Sequence, residues 1–62
     1  MTSFAFTKEG TITADALHEV AMYLEGKAYK ETYIKEVAKM LSVPMTEEGI
    51  RYGMYVYLNI KL

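Results

Sequence analysis

Met54-Tyr55-Val56-Tyr57-Leu58-Asn59-Ile60-Lys61-Leu62 alternates along its length, with Met54, Val56, Leu58, Ile60 and Leu62 on one side and Tyr55, Tyr57, Asn59 and Lys61 on the other. A period of two in a run of β-branched and aromatic residues predicts a half-buried β-strand. In that register Val56 faces the core and Tyr57 faces out. A terminal strand of this kind needs an edge to pair with, either a short N-terminal strand or a second copy of the protein. The expected fold class is therefore α+β: a short N-terminal strand or hairpin, two to three helices and a C-terminal strand, in one domain spanning 1–62.

The start of the chain offers a partner strand. Phe4-Ala5-Phe6 alternates up to Lys8-Glu9-Gly10, which can turn the chain, and Thr11-Ile12-Thr13 can return it. Thr13 then suits the N-cap of a first helix over 14–25, with Asp15 in the first turn and Gly26 where a C′ residue belongs. Leu17, Val20, Ala21 and Leu24 recur at helical spacing and form its expected apolar face. Residues 27–32 read as a linker or as the opening turn of a second helix. From Tyr33 the helical pattern is clear: Ile34, Val37, Ala38 and Leu41 share a face, and Glu31 precedes Lys35 by four residues. Ser42-Val43-Pro44 ends that helix, because the residue before a proline is pushed out of the α region. Thr46 caps a third helix with Glu47 and Glu48 in its first turn. Gly53 is expected to close that helix, leaving it short and held by Ile50 and Tyr52.

Composition limits the chemistry. The 62 residues contain no cysteine and one histidine, so disulfides, thiolate catalysis and a clustered zinc site are excluded. His18 and Glu19 are adjacent on a helix and diverge, so no acid–base pair assembles. Glycines 10, 26, 49 and 53 read as turns and helix ends, with no phosphate-cradling motif among them. No catalytic residue, metal ligand or cofactor is assigned, and an enzyme is not expected. A hydrophobic content of 52% is enough for a packed globule. No stretch approaches the roughly 18 apolar residues of a membrane span, and none resembles a secretory leader, which makes a soluble, cytoplasmic protein the expectation.

Charge is divided along the chain. Residues 1–26 set Lys8 against Glu9, Asp15, Glu19 and Glu25, a net of −3. Residues 27–51 set Lys27, Lys30, Lys35, Lys39 and Arg51 against Glu31, Glu36, Glu47 and Glu48, a net of +1. An anionic partner would favour the second half, with binding that is local and sensitive to salt.

Ala38, Leu41, Ser42 and Val43 supply, in order, a small residue at a helix crossing, a leucine, a small turn residue and an apolar residue after it. In this respect residues 34–43 resemble the opening of helix-turn-helix DNA-binding domains. Ala21-Met22 with Gly26, and Ile50 through Ile60, extend the similarity to the small Cro repressors of lambdoid phages. The resemblance implies a transcriptional regulator that binds double-stranded DNA as a dimer. Under it Thr46, Arg51 and Tyr52 would contact DNA, and Lys35 and Lys39 would meet phosphates.

The alternative is a non-enzymatic protein-interaction module that oligomerises, or binds another protein, through its C-terminal strand. Tyr55, Tyr57 and Asn59 would form that interface by extending a sheet across a two-fold axis. Acidic charge on the first and third helices suits this second reading. Either reading predicts a homodimer.

Overall fold

A computed structural model describes residues 3–61, with side chains through Ile60, and arranges them as three helices: α1 (Ala14–Leu24), α2 (Glu31–Leu41) and α3 (Glu47–Lys61). The expected α+β fold is thereby corrected. Among the described residues there is no strand. The expected hairpin is reduced to one isolated antiparallel bridge, Phe6 to Ile12. Gly10 makes this tight reversal at φ 86°, and Thr13 N–H donates to the Ala5 carbonyl at 2.9 Å. Ser3 pins the incoming segment across α2, its hydroxyl donating to Glu36 at 2.6 Å.

The first two helices begin and end for local reasons. Thr13 caps α1 by accepting from Ala16 N–H at 3.2 Å. At the other end Gly26 takes φ 74° and Lys27 N–H reaches back to the Met22 carbonyl at 2.9 Å, a left-handed helix stop. The linker is tied back to α1 where the Glu19 carboxylate accepts from Lys30 N–H at 2.8 Å. At the end of α2, Ser42 is left-handed (φ 58°, ψ 45°) and Val43 N–H bonds the Ala38 carbonyl at 3.0 Å. It is the one non-glycine residue at positive φ among those described.

The C-terminal run is the back half of α3. Thr46 caps this helix by accepting from Gly49 N–H at 2.9 Å, and Gly53, expected to end it, lies in its interior. A methyl group at Gly53 would sit 3.1 Å from Leu41 Cδ1 and Val43 Cγ1. One at Gly49 would collide with the Pro44 carbonyl oxygen. Both glycines thus let α3 lie close against the end of α2 and the turn after it. With the helix running through Gly53, the period-two alternation has no bearing on burial. Ile50, Gly53, Met54 and Tyr57 come round to one face at steps of three and four.

The core joins all of these elements: Ala5, Phe6, Ala16, Val20, Ile34, Val37, Ala38, Ile50 and Met54 are buried together. The expected face of α2 is present, with Leu41 partly buried beside it. On α1 the face is rotated. Ala16 and Val20 are inside while Leu17 and Ala21 are exposed. On α3, Ile50 holds the helix as expected, but Tyr52 does not, being 65% exposed. No described helix is long and apolar enough to cross a membrane.

Candidate interaction surface

Among the described residues there is no pocket and no group of three metal-ligating side chains. Among the described side chains no polar or charged one is buried. His18 is exposed on α1, and the Glu19 carboxylate serves the backbone of the linker. What remains to act on a partner is the outer surface.

The residues expected to contact DNA fall on two helices and are largely occupied locally. Lys35 Nζ lies 3.8 Å from Glu31 on α2, and Arg51 Nη2 lies 3.6 Å from Glu47 on α3. Both pairs are exposed, so each contributes little to stability, yet each tempers a positive charge at the surface. Thr46 has its hydroxyl committed to the α3 cap. Lys39 is exposed one turn beyond Lys35, and Tyr52 is exposed one residue after Arg51. The opening of α3 therefore presents Glu47 and Glu48 alongside a partnered arginine, a poor match to phosphate.

The trio expected at a dimer sheet separates. Tyr57 points inward. Its hydroxyl accepts from Ile12 N–H at 2.8 Å and donates to the Gly10 carbonyl at 3.1 Å, and its ring meets Phe6 edge-on at 5.7 Å between centroids. It is a strap joining the N-terminal reversal to α3, and its placement on an outer strand face is corrected. Tyr55 is 67% exposed, and Asn59, one turn on, donates from Nδ2 to the Tyr55 carbonyl at 2.8 Å.

A continuous outer face of α3 results, made by Tyr52, Tyr55 and Leu58 at three-residue steps, with Arg51 and Asn59 flanking. Leu58, read from the sequence as core, is half exposed. The signal that finds it is the 3.6-residue period starting at Ile50. With Ile50 and Met54 inside, Leu58 falls off the buried arc and joins Tyr55. Large rings with polar tips, gathered on the side away from the core, are the residue types that protein interfaces favour.

No protein-family model, curated protein or solved structure matches the chain.

Proposed function

We propose that this chain is a non-enzymatic interaction module whose outer α3 face, Tyr52-Tyr55-Leu58, binds a protein surface. The observation that carries the reading is the exposure of Tyr52 (65%) and Tyr55 (67%) on a helix whose opposite side buries Ile50 and Met54 and partly buries Tyr57. Large contiguous apolar patches rimmed by polar residues mark association sites, and Tyr52, Tyr55 and Leu58 share one face of α3. The helix is anchored by Ile50, Met54 and Tyr57, so the face is presented rigidly and little ordering is required on binding. A cytoplasmic setting belongs to the proposal.

The test is a photo-crosslinking residue at position 55, compared with the same residue at the exposed position 18 on α1, in cells that make the protein. A discrete protein adduct from position 55 and none from position 18 supports the reading. Adducts from neither site, or equally from both, overturn it.

A second reading, a helix-turn-helix regulator binding DNA as a dimer, is favoured by one observation. Ser42 supplies the left-handed turn between α2 and α3 at the place where such units commonly carry glycine. Fluorescence anisotropy with a mixed-sequence duplex at about 50 and about 200 mM salt tests it. Binding that weakens steeply with salt, and is lost when Lys35 and Lys39 are changed to glutamine, supports DNA contact. Absence of binding at the lower salt removes it.

A further inference from the structure

Resting on the proposal that the outer face of α3 is a protein-binding surface, we infer that its occupant is a second copy of this chain, packed antiparallel about a two-fold axis at Tyr55.

The pattern of the face is self-complementary in that arrangement. Tyr55 is its centre, with an apolar residue three positions to either side (Tyr52 and Leu58) and a polar one four positions to either side (Arg51 and Asn59). A two-fold axis brings Tyr55 onto its own copy and sets the Tyr52 level of one helix beside the Leu58 level of the other. This is the condition for an isologous contact. The charges select the direction. The first turn of α3 holds Glu47 and Glu48. Antiparallel packing keeps the carboxylates of the two chains at opposite ends and opposes the two helix dipoles. Parallel packing would gather the carboxylates of both chains at one end. The described core buries nine residues, and a second copy seated on Tyr52, Tyr55 and Leu58 adds buried apolar surface to it.

The absence of native cysteine permits a clean geometric test. At the axis, Tyr55→Cys places two thiols face to face, and mild oxidation should give a covalent dimer of about twice the 7.1 kDa chain mass. Glu48 lies seven residues earlier. That is about 10 Å along the helix, so antiparallel packing holds the two Glu48 positions about 20 Å apart. A disulfide needs Cα atoms within about 7 Å. Glu48→Cys should therefore remain uncrosslinked. Parallel packing, by contrast, would crosslink both variants.

The unmodified chain should sediment as a dimer at tens of micromolar, and Tyr55→Arg, which sets two cations at the axis, should raise the dimer Kd at least tenfold. A monomeric native chain, a Tyr55→Cys variant that does not crosslink, or a Glu48→Cys variant that does, each overturns the inference. A position-55 photo-adduct of a mass other than twice the chain would sink self-association while leaving the interaction-module proposal standing. Loss of every adduct would remove both.

Discussion

The two faces of α3 use one residue type for opposite ends. Tyr57 is locked between Phe6, Ile12 and Gly10, with its hydroxyl both accepting and donating. Tyr55, two residues away, leaves its ring in solvent. The difference comes from angle around the helix, since two residues amount to roughly 200° of rotation. An amphipathic side chain has no inherent side: whether it straps the core or recruits a partner depends on the period of the backbone that carries it. The inner face is also graded in size, with Gly49 and Gly53 against the end of α2 and the turn after it, Ile50 and Met54 in the common core, and Tyr57 against the N-terminal reversal. The outer face has no such gradation.

The sharpest way to break the comparison is at Ile50, which is fully buried. Ile50→Ala should cost about 2–5 kcal/mol in denaturant unfolding, enough to leave so small a domain largely unfolded. A cost below about 0.5 kcal/mol would mean that the inner face does not carry the fold. Next comes Gly49→Ala, where the added methyl group meets the Pro44 carbonyl, a backbone group that cannot swing aside. The general gain of alanine over glycine inside a helix, about 1 kcal/mol, is opposed here by overpacking of about 1–3 kcal/mol. Net destabilisation, seen as a lower thermal midpoint, is expected, and a raised midpoint would show that α3 stands off from the turn.

The finest distinction is between the two tyrosines. Tyr57→Phe keeps the ring and its edge contact with Phe6 but leaves the Ile12 N–H without its acceptor, at about 1–3 kcal/mol. Tyr55→Phe should lie within about 0.5 kcal/mol of the parent, as exposed substitutions do. Equal effects in chemical denaturation would erase the division between the faces.

Much of the first two helices was legible because their signals are local. Thr13, Gly26, Ser42-Val43-Pro44 and the Ile34, Val37, Ala38, Leu41 series act within a turn or two of themselves. α3 was not, because its residues satisfy two periods at once. Between Met54 and Leu62 apolar and polar residues alternate strictly, and β-branched and aromatic side chains favour strand. Yet the same run, taken with Ile50 and Gly53, also meets the helical period. What decides between them is tertiary: Gly53 lies close against the Leu41 and Val43 side chains, which a methyl group there would push aside by a few tenths of an ångström, and so functions as a contact where the sequence suggests a stop. The surface was half legible for the same reason. Tyr55 and Asn59 were placed outside on a strand and are outside on a helix, whereas Tyr57 and Leu58 exchanged sides. The cationic residues Lys35, Lys39 and Arg51 were visible as charges, but the glutamates one turn away from Lys35 and Arg51 temper them in ways that net charge by segment conceals.

The phenol strap at Tyr57 also bears on motion in time. Its two hydrogen bonds join residues 45 and 47 positions apart, long-range contacts of the kind that slow folding because distant segments must meet before they form. The Ile12 amide is protected by the side chain of Tyr57 on α3, so its exchange with solvent deuterium requires the N-terminal reversal and α3 to part. An amide before α1 thereby reports on the contact between the N-terminal reversal and α3.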